Sequence, residues 1–122
     1  MWVFDVTDET VPTPISTYAM SAENTPWRDL GSEIATRFGS HQCHERMAGS
    51  LVYVAWFRGG LRIVDISDPR TAGYYIPPPD EGRRTVMSND VFVDRRGYIY
   101  LLDRLRGLDI LEYVGPPGAS PL

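Results

Sequence analysis

The side chains best suited to chemistry are gathered in one run, His41-Gln-Cys-His-Glu45. This run contains both histidines of the chain and its single cysteine. Imidazole nitrogens and carboxylate oxygens are common ligands of zinc, and a cysteine with a neighbouring histidine can act as a nucleophile with its base. Two hypotheses follow: a metal site formed by His41, His44 and Glu45, or a thiol-based catalytic site.

The spacing within the run favours neither hypothesis. On a β-strand, residues 41, 43 and 45 share one face and residues 42 and 44 share the other, which separates the two histidines. The order His-x-x-His-Glu matches neither common zinc motif of helices, and Cys43 and His44 lack a nucleophile elbow. We therefore name no catalytic residue, and the balance is against an enzyme. A divalent metal, with His41, His44 and Glu45 as its candidate ligands, is the one cofactor that we keep open.

A repeat of 47 residues runs through the second half of the chain. The stretch from Ser50 to Ile66 recurs from Gly97 to Tyr113 without a gap. A third, partial copy opens the chain, since Val3–Asp8 mirrors Ile63–Asp68. A period of about 40–50 residues is typical of β-propellers, in which each repeat forms one blade.

Each copy has the pattern of a β-hairpin that is covered on both faces. Val52, Val54 and Trp56 share one face of the first strand, and apolar side chains also occupy the opposite face. A strand that is apolar on both faces has to be buried on both sides, as stacked blades require. The turn residues Gly59 and Gly60 supply the backbone freedom of a tight connection.

The repeat predicts an all-β fold, a partial β-propeller with about two and a half blades of antiparallel four-stranded sheets. We expect outer strands of a preceding blade in 1–20, an inter-blade insertion in 21–40, a complete blade in 41–79, a partial blade in 80–114 and a disordered tail in 115–122. The strands are expected near 41–46, 50–57, 61–66, 73–76, 89–93, 98–104 and 108–113, and a short helix near 29–38. Propellers close with about four to eight blades, so missing blades of a longer protein or further copies of the chain have to complete the ring.

The predicted fold gives the histidine run a position. The first strand of a blade lines the central channel, and the 47-residue offset brings Asn89 and Asp90 to the equivalent place in the next blade. The candidate ligand-binding residues at this channel mouth are His41, Gln42, His44, Glu45, Asn89 and Asp90. We favour the alternative that these groups form structural hydrogen bonds between blades, because buried polar groups have to be paired.

The run Gly60-Leu-Arg-Ile-Val-Asp-Ile-Ser-Asp-Pro69 resembles the signature of the LVIVD-repeat family of β-propellers. The segments Phe38–Glu45 and Ser88–Val91 are similar to those of an uncharacterised bacterial subgroup. The resemblance extends from Trp2 to Tyr113 and covers the C-terminal blades of that subgroup. It implies a propeller fold and no particular reaction.

Composition excludes several other classes of protein. The chain has 122 residues, and its net charge of −4 argues against a nucleic-acid surface. No apolar run approaches the roughly 20 residues of a membrane span, and no signal peptide is visible after Met1, which leaves the compartment open. A single cysteine excludes an internal disulfide.

These observations predict a propeller repeat module, a non-catalytic binding or scaffold fragment of a larger LVIVD-type propeller. Its expected partners are the missing blades, further copies of the chain or another protein. The alternative is a metal- or ligand-binding propeller enzyme that uses the channel-mouth His, Glu, Asn and Asp residues.

Overall fold

The computed structural model describes residues 1–21, 25–26, 37–47 and 49–115. Within these ranges every regular element is a β-strand, and the strands form three antiparallel sheets. The first sheet contains β1 (Trp2–Asp5) and β2 (Thr13–Thr17); the middle sheet contains β3 (Leu51–Ala55), β4 (Leu61–Asp65) and β5 (Arg70–Tyr75); the last sheet contains β6 (Ser88–Val93), β7 (Tyr98–Asp103) and β8 (Gly107–Glu112). The predicted all-β class is confirmed, and the architecture is compatible with a partial propeller.

Two of the sequence predictions fall beyond the described ranges. The short helix predicted near 29–38 lies outside the described residues except at its end, and so does the predicted disordered tail from residue 116 onward. The part of the chain that the structure describes contains no helix that could cross a membrane.

The middle sheet is buried on both faces, as its sequence predicts. On the face toward the last sheet, Tyr53, Ala55, Leu61 and Ile63 pack against Val91, Ile99 and Leu101. On the opposite face, Val54, Trp56 and Val64 pack with Tyr18, which follows β2. All of these side chains are buried, because the sheets on either side remove both faces from water.

Tyr18 joins the first sheet to the middle sheet through two different contacts. Its ring meets the ring of Trp56 edge to face, with 5.6 Å between the ring centroids. Its hydroxyl lies 2.6 Å from the hydroxyl of Thr71 on β5. The apolar and polar ends of one tyrosine therefore fix the position of the first sheet on the middle one.

The same turn follows β1 and β4, which supports the partial third copy of the repeat. The carboxylate of Asp65 accepts hydrogen bonds from the backbone N–H and the hydroxyl of Ser67, at 3.0 and 2.6 Å. Asp5 accepts the corresponding bond from the backbone N–H of Thr7 at 2.8 Å. Hydrogen bonds from Ser67 and then Ser50 hold the pKa of Asp65 below its usual value.

The turn between β3 and β4 requires glycine at position 60. Gly60 has a φ of +72°, in the region that side chains rarely adopt. A Cβ atom at this position would also collide with the carbonyl oxygen of Tyr75, on the neighbouring strand β5. Both the backbone conformation of Gly60 and the close approach of the Tyr75 carbonyl therefore exclude a side chain at position 60.

We predict that Gly60→Ala destabilises the chain much more than Gly82→Ala. Gly82 has nearly the same φ, +77°, but a Cβ atom there would meet nothing within 4 Å. Gly82→Ala should therefore lower the unfolding free energy only by the conformational cost of a positive φ, about 1–2 kcal/mol. Gly60→Ala adds a steric clash with the backbone of β5. Urea unfolding of both variants measures the difference. Equal losses of unfolding free energy would contradict this account of the turn.

Candidate functional site

The inner segment, residues 41–46, lies along the free edge of β3. Three backbone hydrogen bonds of 2.8–2.9 Å join it to β3: His41 N to Ala55 O, His44 N to Tyr53 O, and Ala55 N to Gln42 O. It forms only an isolated bridge, Cys43 with Val54, where the sequence predicts a full strand. Its side chains are mainly polar and exposed, so it lacks the apolar face that holds the longer ladders of the middle sheet.

Both histidines reach from the inner segment to the backbone of β6 in the last sheet. Nδ1 of His41 lies 2.6 Å from the carbonyl oxygen of Asn89. The backbone N–H of Val93 donates to Nδ1 of His44 at 3.3 Å. Both bonds join the inner segment to the last sheet, and both end on main-chain groups rather than on side chains.

These bonds require different protonation of the two imidazoles. His41 has to carry a proton on Nδ1, because its partner is a carbonyl oxygen. His44 has to keep Nδ1 unprotonated, because its partner is an N–H group. A His41 ring with protons on both of its nitrogens could still make its bond to Asn89 O. A His44 ring with protons on both nitrogens would have no acceptor for the Val93 N–H.

Ring contacts hold the two histidines in these orientations. The His41 ring lies 4.6 Å from the ring of Phe57, measured between centroids. The His44 ring meets Phe92 of β6 edge to face at 5.4 Å. Each imidazole is therefore constrained by one aromatic ring and one main-chain partner.

Asn89 and Asp90 take local roles on β6. The carboxylate of Asp90 accepts the backbone N–H of Val91 at 2.8 Å. The main-chain carbonyl oxygen of Asn89 is the partner of His41 Nδ1. The side-chain Oδ1 of Asn89 is buried and has no hydrogen-bond partner among the described residues. Together, His41, Asp90 and His44 bind main-chain groups at residues 89, 91 and 93 of β6.

A cleft of about 560 Å³ separates the inner segment from β6. Four of the predicted site residues line it: Gln42, His44, Glu45 and Asp90. Arg46 and Arg95 also line it, so two carboxylates and two guanidinium groups face one open space. His41 and Asn89 are linked to each other at the side of the cleft instead of lining it.

The candidate metal ligands are not assembled as a site. Among residues 1–21, 25–26, 37–47 and 49–115, no three side chains of His, Cys, Asp or Glu are grouped so that they could hold a metal ion. Glu45 and Cys43 are exposed, and His41 and His44 use Nδ1 for contacts with β6. Metal binding remains a prediction from the sequence alone.

Sequence reasoning missed a second link at the start of β6. The buried carboxylate of Asp103 accepts hydrogen bonds from the backbone N–H of Met87 and the hydroxyl of Ser88, at 2.8 and 3.0 Å. The N–H of Ser88 in turn donates to the carbonyl oxygen of Phe57 at 3.0 Å. Asp103 occupies the repeat position of Trp56, and this break in an otherwise apolar pattern is the signal that could have revealed it.

Comparison with protein families agrees with this architecture. The three antiparallel sheets are compatible with a partial propeller, and residues 47–71 match the family model of the LVIVD repeat. This match spans β3, β4 and the beginning of β5. The chain therefore carries an LVIVD repeat, which confirms the resemblance seen in the sequence, while the bacterial subgroup stays a prediction. Searches of curated proteins and of solved structures gave no match.

We predict that His44→Ala accelerates hydrogen exchange of the Val93 amide about tenfold, since an amide that loses a bond of about 1.4 kcal/mol opens about ten times more often. His44→Asn should restore part of the protection, because its Oδ1 can accept the same bond. Exchange followed by NMR measures the effect. Glu45→Gln, next to His44 in the cleft, is the control that should leave Val93 unchanged. If Val93 exchanges at the same rate in the alanine variant, the bond between His44 and β6 does not exist in solution.

Proposed function

We propose that this chain is a non-catalytic propeller repeat module whose two end faces bind further blades of a larger LVIVD-type propeller. One observation carries the proposal. Apolar side chains that are buried between sheets in the middle of the chain have exposed counterparts, at the same positions of the repeat, on the two outermost sheets.

The outer face of the last sheet shows this difference most clearly. The 47-residue offset pairs Ile63 with Ile110 and Leu61 with Leu108. Ile63 is 3% exposed because it packs on the last sheet, whereas Ile110 is 61% exposed. The face that receives a following sheet is therefore repeated on the last sheet, and within the described residues nothing covers it.

The outer face of the first sheet has the opposite orientation. Phe4 corresponds to Val64, which is fully buried by the sheet before it, and Phe4 itself is 49% exposed. Trp2 lies next to it, with 6.3 Å between the ring centroids. The first sheet thus presents the face that receives a preceding sheet.

The two end faces are complementary in type. The last sheet presents the face that a following sheet covers inside the chain, and the first sheet presents the face that a preceding sheet covers. This is the combination that meets between adjacent sheets within the chain.

The geometry of the inner edge also supports a structural role over the alternative of a channel-mouth enzyme. His41 and His44 both contact main-chain groups of β6 through Nδ1, which links the inner segment to the last sheet. The cleft beside them contains equal numbers of acidic and guanidinium side chains. We therefore assign the histidines to the joint between blades.

The test is the solution mass of the purified chain, measured by light scattering with elemental analysis on the same peak. Without further blades, the end faces should associate with each other, so the mass should rise with concentration. Leu108→Asp and Phe4→Asp should each yield monomers, because a buried unpaired charge is costly, and an equimolar mixture of the two should form a one-to-one pair through the intact faces.

Val11→Asp is the matched control, since Val11 is an exposed apolar residue in the turn between β1 and β2. It should associate like the unchanged chain. A chain that stays monomeric at every concentration would contradict the proposal, and stoichiometric metal in the peak would favour the enzyme alternative.

A further inference from the structure

The last sheet has an open edge at β8. The repeat places β8 at the position of β4, and β4 pairs with β5 on its outer side. In the described part of the chain, β8 pairs with β7 alone, and no other backbone hydrogen bond reaches its residues. An edge strand of this kind exposes a row of N–H and C=O groups that can pair with another strand.

A groove of about 330 Å³ lies directly beside this edge. It runs between the outer strands of the middle and last sheets, where a fourth strand of the last sheet would place its side chains. Its walls are mainly apolar: Leu61, Ile63, Ala72, Tyr75, Leu111 and Val114. Tyr113 spans the two sheets here, and its hydroxyl donates to the carbonyl oxygen of Ala72 at 3.1 Å.

We propose that β8 and this groove form a strand-addition site for an extended segment of a partner polypeptide. The segment pairs antiparallel with β8 through its main chain and inserts alternate side chains into the groove. Main-chain bonds supply affinity in such complexes, and the pockets for alternate side chains supply selectivity. The site is an edge, distinct from the two end faces of the proposed function.

Strand β5 indicates which side chains the partner segment, or guest, should carry. It pairs with β4 in the middle sheet as the guest would pair with β8 in the last sheet. Thr71 and Tyr74 of β5 face the first sheet, where Thr71 meets the Tyr18 hydroxyl and Tyr74 covers Arg62. The equivalent side chains of a guest would face the groove. The partner segment is therefore free of proline along its length, with a hydroxyl or aromatic side chain at each groove-facing position.

Residues 116–122, which follow β8, do not have this chemistry. They read Pro-Pro-Gly-Ala-Ser-Pro-Leu, with three prolines in seven residues. Proline cannot donate to a ladder and is confined to strand ends, edges and bulges. This stretch therefore lacks the sequence pattern of a fourth strand, and we assign the site to a segment that resembles β5.

The experiment uses the full chain and a fluorescent peptide that copies residues 70–76 as the probe. Binding is followed by fluorescence anisotropy. The control peptide carries Tyr74→Pro and Tyr75→Pro, since the N–H groups of adjacent residues point in opposite directions and one of them has to face β8. We expect saturable binding of the probe and none of the control peptide.

Two protein variants locate the binding. Val114→Asp places a charge in the groove at an exposed residue, so folding is preserved, and should weaken the probe by about tenfold or more. Ile110→Asp changes a β8 residue that does not line the groove, and it should leave the affinity within about twofold. This pair also separates the site from the end faces, because Ile110→Asp disrupts only the latter.

Three results would overturn the proposal. The first is failure of the full chain to bind either peptide, the second is an unchanged affinity in Val114→Asp, and the third is conversion of an associated chain to a monomer by Val114→Asp. The last result would assign the β8 edge to a second copy of the chain. Loss of probe binding with intact end-face association would refute this site and leave the proposed function standing.

Discussion

The structure depends on sheets that are apolar on both faces and stable only when both faces are covered. The middle sheet satisfies this condition, with Ile63 buried toward the last sheet and Val64 buried toward the first. Adjacent residues of one strand therefore bind different neighbours, which is the arrangement of stacked blades. The free energy gained by hydrophobic burial scales with the apolar area removed from water. A sheet with one uncovered apolar face would therefore gain stability by binding a neighbour on that side.

Hydrogen bonds from the inner segment to β6 add to the apolar packing between the middle and last sheets. Apolar side chains hold the middle and last sheets together, but they do not fix how one sheet is positioned along the other. His41 and His44 bind Asn89 O and Val93 N, which are directional contacts to fixed main-chain atoms. We see these histidines as setting the relative position of the sheets, with the cleft as the space left between the inner edges.

Much of the fold could be predicted from the sequence, because it follows from local patterns. Alternating apolar residues and turn glycines indicate β3, β4, β7 and β8, and the 47-residue offset indicates which positions are equivalent. The inner segment was predicted less well. Whether it forms a ladder depends on the apolar support of its side chains, and there the polar run His41–Glu45 yields only a bridge.

The sequence predicted which residues lie near one another better than the contacts that they make. The 47-residue offset placed the histidine run near Asn89 and Asp90, and hydrogen bonds between blades were the favoured role. The partners of His41 and His44 are main-chain groups of β6, however, and no side-chain pattern marks these. Ligand binding by these residues stays a prediction. Asp103 was missed for a related reason, since its partners include the backbone of Met87 and its role appears only when the start of β6 is placed beside the end of β7.

The central claim is that the equivalent residues Ile63 and Ile110 differ in exposure because a neighbouring sheet covers only Ile63. The most direct measurement compares the unfolding free energies of Ile63→Ala and Ile110→Ala in denaturant, at concentrations too low for association. The account predicts a loss of about 2–5 kcal/mol at Ile63 and a change within about 0.5 kcal/mol at Ile110. Similar losses at the two positions would contradict it, because Ile110 would then already be buried in the isolated chain.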